Sequence, residues 1–185
     1  MLSQFTSHDG KKTLKDFFDV PVNVYPVGRL DYDSEGLLIL TDDKYLNDYL
    51  LNPLHGHERE YWIQVEGDIT QNAIAELEQG VTININGKMY QTKKCIAKII
   101  SPPEEIAERD PPIRFRKNIP VSWVKIILTE GKNRQVRKIT AKAGFPTLRL
   151  IRYRIGKITI DRLKPGEMKM LSHTEMYNLL QIQKR

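Results

Sequence analysis

The sequence predicts an α+β fold in which helices flank a mixed, mainly antiparallel central sheet. Three observations carry that prediction. Strand-like and helix-like stretches alternate along the chain with short turns between them, whereas a doubly wound parallel sheet needs long crossovers. Asn86-Gly87 separates two strand-like runs, a strong hairpin signal. With 185 residues, 40% hydrophobic and 28% charged, the chain is long enough for one domain with a substantial core, built as two lobes.

Taken in order, Thr13 caps a short helix over 14–18 that Pro21 ends. Proline at position 26 and glycines at 28 and 36 then bound an acidic loop carrying Asp31, Asp33 and Glu35. The apolar run over 37–40 is short and continuous and predicts a buried strand, so the loop sits at the mouth of a core. Thr41-Asp42-Asp43 supplies capping oxygens for a helix to about residue 51, which Asn52-Pro53 stops. Tyr61, Ile63 and Val65 alternate on one face of a strand. Thr70 and Gly80 bracket a helix over 71–79 with Ile74 and Leu77 on one side. Strands are predicted around 81–85, 89–92 and 95–100.

Residues 101–120 change to prolines and charges, too polar for core. They read equally as a linker between lobes or as a basic, aromatic-bearing arm, with Phe115, Arg116 and Lys117, that touches a nucleic-acid backbone. The strand over 121–129 is apolar on both faces and belongs inside the sheet. A glycine-entered helix follows within 130–146, where Arg134 and Lys138, four apart, share a face and Arg137 turns inward. The stretch over 147–156 is a strand with one basic face, and Ser172-His173-Thr174-Glu175 is a capping box for a last helix through 180.

Charge narrows the partner. The net charge of +6 and pI near 9.3 favour a polyanion, and the placement is sharper than the sum. From Lys132 to Lys157 the chain carries Lys132, Arg134, Arg137, Lys138, Lys142, Arg149, Arg152, Arg154 and Lys157 without one acid. A single cysteine, Cys95, excludes an internal disulfide and is read as a small buried apolar residue. The two nearby histidines, His55 and His57, lack a ligand pattern around them and read as a solvated loop, so no metal is expected. The start of the chain has no basic region followed by a long apolar segment, so the cytoplasm is expected and a membrane is not.

Three readings compete for the acidic loop. Asp and Ser are ordinary turn residues. Asp31, Asp33, Glu35, Gly36 and Asp42 fall near EF-hand spacing, but proline precedes the loop, a strand fills its second half, and the last ligand would be Asp rather than a bidentate Glu. The third reading is catalytic. Gly28-Arg29-Leu30-Asp31-x-Asp33-Ser34-x-Gly36-Leu37-Leu38 resembles the catalytic motif of the RsuA-type pseudouridine synthases of ribosomal RNA. Tyr61-x-x-Gln64-Val65-x-Gly67 is similar to their second motif, with Glu60 where the family usually has lysine, and Gly131-x-Asn133-Arg134-Gln135-Val136-Arg137-Lys138 to their third. Asn118-Ile119-Pro120-x-Ser122-Trp123 recurs in the E type of large-subunit synthases.

The resemblance implies the pseudouridine synthase fold with a central active-site cleft, and isomerisation of a uridine in 23S ribosomal RNA, or in a large-subunit precursor, by a monomer without metal or organic cofactor. It implies a single catalytic domain over 1–185, without the Lys-Pro strand that usually opens the family and without a preceding small RNA-binding domain. Asp31 takes the catalytic role, Tyr61 stacks on the base and Arg137 pairs with Asp31. Arg29 fills the gap left by the flipped base, or else bridges to Asp33. Lys132, Arg134, Lys138, Arg149, Arg152, Arg116 and Lys117 are the expected RNA contacts. The alternative is a non-catalytic RNA-binding or ribosome-assembly module using the same basic helix.

Overall fold

A computed structural model of the chain describes residues 1–6, 10–113, 119–161 and 163–182. Three two-residue strands come first: β1 (Tyr25–Pro26), β2 (Glu35–Gly36) and β3 (Leu40–Thr41), followed by α1 (Lys44–Leu51). Then come β4 (Arg59–Glu66), α2 (Gln71–Gln79), β5 (Thr82–Ile85), β6 (Lys88–Gln91) and β7 (Ile96–Ile100). The chain continues as β8 (Val121–Leu128), α3 (Gln135–Lys142), β9 (Thr147–Ile155), β10 (Ile158–Thr159) and α4 (His173–Leu180).

The central sheet runs β10-β9-β4-β8-β7, antiparallel throughout, and β2 adds to β9 as its one parallel pair. This is the mixed, mainly antiparallel sheet the alternation of elements predicts. The strand over 121–128 lies inside it, between β4 and β7. Local chemistry fixes the helices: Asp43, Thr70 and Ser172 accept a first-turn amide at α1, α2 and α4, the last within a full capping box. Asn86 and Gly87, both at positive φ, turn β5 into β6.

Buried apolar side chains form two clusters. One joins β4, β8, α2, α3 and the β5 hairpin through Ile63, Val65, Val124, Ile126, Leu77 and Val136. The other joins α1, α4 and the segment after β2 through Leu37, Ile39, Leu46, Leu50, Ile155 and Leu180. Cys95 is half-buried against the first, and burial pushes its thiol up to about 11, so it stays protonated.

Three expectations are corrected here. The run over 37–40 is not one strand: β2 ends at Gly36 and β3 begins at Leu40, with Leu37 and Ile39 buried in the passage between two sheets. The initial helix is a single 3-10 turn, Leu14–Asp16. Residues 101–113 do not span a gap between lobes; the Ala107 carbonyl and the Arg109 side chain lie against Arg149 and Glu35 on the sheet. Arg116, Lys117 and Phe115 lie outside the described residues.

Candidate functional site

The acidic loop hangs from β9. At Gly36 (φ +107°) a Cβ would lie 2.3 Å from the Arg152 carbonyl oxygen, so only glycine allows β2 to close on β9 at Glu35↔Ile151 and Gly36↔Arg152. At the other end the Ser3 hydroxyl accepts from the Leu30 amide at 3.0 Å. Between these anchors the Ser34 amide donates to the Asp31 carbonyl, closing a turn that leaves Asp31 partly exposed. Asp31 borders a cleft of about 590 Å³ whose walls include Arg29, Tyr61, Arg152, Lys132 and Arg134.

The opposite wall is the entry to α3. Arg134 is not on the helix with Lys138: it precedes the first turn in the left-handed region, φ +50°, an uncommon conformation for a residue with a side chain. That bend turns its guanidinium onto the acidic loop, where it donates to both Asp33 carboxylate oxygens at 3.1 and 2.9 Å and stands 3.6 Å from Asp31. Arg137, half-buried, donates to the Asp33 carbonyl at 2.7 Å and lies 3.4 Å from its carboxylate. Thus the cation nearest Asp31 is Arg134, while Arg137 reaches Asp33 and leaves a buried Nε without a hydrogen-bond partner. Hydrogen bonds from Arg134, then the charge of Arg137, hold the Asp33 carboxyl below the ordinary carboxylate value. Burial pulls Arg137 down, with Asp33 and Asp31 opposing it, and a guanidinium remains charged through such a shift. The Arg29–Asp33 bridge is therefore not formed: Arg134 occupies Asp33, and Arg29 is exposed at the cleft.

Strand β9 has no single basic face. A register shift between Glu60 and Tyr61 leaves Tyr153 as an extra residue, so Arg154 pairs with Glu60 and Arg152 with Tyr61. Arg152 lies on the cleft side, while Arg149 and Arg154 lie on the far side with Trp62. All three are engaged internally. Arg149 is bidentate to Glu35 at 3.0 and 2.7 Å, Arg154 bonds Glu60 and Glu58, and Arg152 bonds backbone carbonyls. Arg149 and Arg152 are both buried, so little of either guanidinium meets solvent. Glu60, one residue before Tyr61, is buried on the far face by strand alternation, where it also accepts from Trp62.

Several cleft residues carried no sequence signal. Arg59, Lys93 and His57 add to its walls, and Glu130 is buried in it. Glu130 accepts from Tyr90, Gln135 and the Lys93 amide at 2.5, 2.6 and 2.9 Å, and its bond to Tyr90 pushes that phenol up to about 12. Lys132 lies over the Tyr90 ring. His55 stacks on Tyr49 while remaining exposed, and the half-buried His57 tilts against the same ring, where burial lowers its pKa. Lys138 is half-buried on α3 and does not border the cleft. Among the described residues no cluster of three metal-ligating side chains is found, and no helix is long and apolar enough to cross a membrane.

Comparisons with known proteins show the family. Residues 3–142 match the family model of RNA pseudouridylate synthases. The ribosomal large subunit pseudouridine synthase E of Vibrio vulnificus (strain CMCP6) is 47% identical over 171 residues, 92% of this chain and 70% of that protein. The protein of the same description from Xanthomonas axonopodis pv. citri (strain 306) is 44% identical over 167 residues, 89% of this chain and 85% of its own. A crystal structure of a pseudouridylate synthase superposes with a TM-score of 0.74 at 27% identity, covering 92% of this chain and 66% of that one. A mixed sheet of this order and a family match across the acidic loop, β4 and α3 lead to one conclusion: the chain belongs to the RNA pseudouridylate synthase family and is an isomerase of that type.

Proposed function

We propose that this protein converts a uridine of 23S ribosomal RNA to pseudouridine, with Asp31 as the catalytic carboxylate, acting as a monomer whose described elements form one catalytic domain. The observation that carries the reading is Asp31 in the lining of a cleft that Tyr61 also walls, 3.6 Å from a guanidinium. The cleft of about 590 Å³ is of the size that holds a small ligand, ~300–1,000 Å³.

A uridine in a stem must leave its stack before its glycosidic bond can be reached, which costs a few kcal/mol offset by pocket contacts. Arg29, exposed at the rim, fills the vacated place, and Lys132 and Arg134 face the phosphate backbone. Tyr61 stacks on the extruded base. From there Asp31 acts either by attack at the sugar or by proton abstraction from it. The bond from C1′ to N1 breaks, the ring turns, C1′ joins C5, and the C5 hydrogen leaves as a proton. Arg134 and Arg137 together hold the loop carboxylates in place, a shared role in which Arg137 supplies the inner anchor.

Asp31→Asn tests this. The variant is expected to keep its affinity for 23S transcript and to release no tritium from 5-tritiated uridine in it. Unchanged tritium release would refute the catalytic role of Asp31; a parent protein that binds the transcript and releases no tritium would leave an RNA-binding or ribosome-assembly module in its place.

A further inference from the structure

Arg152 is 5% exposed, yet among the described residues no carboxylate lies within ion-pair reach of it. A buried guanidinium without a counter-ion is costly and calls for a compensating use. Its contacts show one. Nε donates to the Leu37 carbonyl at 2.8 Å and Nη1 to the Arg29 carbonyl at 3.4 Å, while its own carbonyl accepts from the Leu37 amide at 2.8 Å. Residues 29 and 37 are the two ends of the loop that carries Asp31. Nη2 is buried without a hydrogen-bond partner, next to the cross-strand neighbour Tyr61, and the residue borders the cleft.

We propose that Arg152 is a positioning residue of the reaction: its guanidinium clasps both ends of the Asp31 loop by their carbonyls, and its unbalanced charge lies under the part of the cleft that Tyr61 walls. The inference rests on Asp31 being the catalytic carboxylate. The loop is otherwise bounded by Gly28 and Gly36, both at positive φ, which give its ends backbone freedom. One side chain that fixes both ends removes that freedom at the carboxylate. A planar fork spans the two carbonyls from separate nitrogens, whereas the donors of a lysine ammonium all sit on one. The charge acts on chemistry as well. When the bond to N1 breaks, the uracil ring carries the electron pair, and a desolvated cation nearby stabilises it more than water would.

Single-turnover tritium release and RNA affinity are measured together on a 5-tritiated 23S transcript for Arg152→Lys and Arg152→Met, with hydrogen exchange of the amides over 29–37. Arg152→Met is expected to slow turnover about 100-fold, as displacement of a catalytic group does. RNA affinity is expected to stay within about a factor of two, since a buried guanidinium releases no counterions. Arg152→Lys, which keeps the charge and loses one carbonyl bond, is expected to recover about tenfold of that rate, and loop exchange accelerates in both. Weakened RNA binding with unchanged turnover would make Arg152 a backbone contact and overturn the inference, as would parental turnover in Arg152→Lys despite faster loop exchange. If Arg152→Met fails to fold, Arg152→Lys decides on those same readouts. Should Asp31→Asn retain activity, the proposed function fails and this inference with it; an inert Asp31→Asn beside a fully active Arg152→Lys removes this inference alone.

Discussion

The entry to α3 and the middle of β9 come from one acid-free stretch of sequence, and they spend their arginines in opposite ways. At α3, Arg134 stays exposed and bridges to Asp33 at the cleft edge, while Lys132 lies open over Tyr90. Further along, on β9, Arg149 and Arg152 are buried and Arg154 is sandwiched between Glu58 and Glu60. Charge density along the chain is therefore a poor guide to where RNA can be met. What separates the two regions is burial rather than the supply of partners, since the exposed Arg134 has Asp33 while the buried Arg152 has only carbonyls. The acidic loop, β2 and β4 deliver Asp33, Glu35, Glu58 and Glu60 to these arginines, all from more than ninety positions upstream.

The comparison breaks most visibly at Arg137, which belongs to the helix but, half-buried, turns inward to the acidic loop. Arg137→Met removes the donor that holds the Asp33 carbonyl at 2.7 Å and leaves the loop free to shift against α3. Single-turnover tritium release is expected to fall about 100-fold, with RNA affinity little changed, because the group touches the loop rather than solvent. If affinity collapsed and turnover held, Arg137 would belong with the open cations.

A paired measurement sharpens the contrast directly. Lys132→Ala is expected to lower the slope of log affinity against log salt by ~0.7–0.9, the signature of one phosphate contact, with no change in melting temperature. Arg154→Met should leave that slope alone and destabilise the fold by about 2–3 kcal/mol, since it strands the buried Glu60 carboxylate. Equal salt slopes for the two variants would erase the distinction between the regions.

The sequence disclosed what its neighbours in sequence determine. Thr70 and Gly80 bound α2 to the residue, Ser172 and Glu175 cap α4, and Asn86-Gly87 makes its hairpin, because each device acts within four positions. The acidic loop was legible for the same reason: proline and glycine mark its edges. What stayed hidden depends on contacts across a hundred residues. Nothing local says that the apolar run over 37–40 must cross between two sheets, or that β2 pairs in parallel with β9. The extra residue opposite Glu60 and Tyr61 inverts the parity of β9, so counting alternate positions puts its arginines on the wrong sides. The spacing of Arg134 and Lys138 predicts a shared helix face, but Arg134 takes a left-handed backbone and a bidentate bond to Asp33, a partner no helical pattern can indicate. Glu130, Tyr90 and Lys93 meet only because the β5 hairpin folds back on the entry to α3.

The smallest effect concerns the Asp33 pair itself. Arg134 and Arg137 hold the folded-state pKa of Asp33 below its unfolded value, so the pair contributes stability that is present above the ordinary carboxylate pKa and is lost as pH falls through the depressed one. Above that window the contribution is flat with pH. Both side chains are about two-fifths exposed, 40% and 42%, so solvent screens the pair and its worth at neutral pH is about 1 kcal/mol or less. Asp33→Asn, which cannot titrate, is expected to lower the melting temperature slightly at pH 7, and the gap to the parent is expected to begin narrowing below the ordinary carboxylate value of about 4 and to close as the pH falls through the depressed one, where the folded parent's own carboxylate becomes protonated. Melting curves of both proteins across that range test the sign: a gap that widens in acid would mean that Asp33 is held above its ordinary value and that the two arginines do not stabilise its charge.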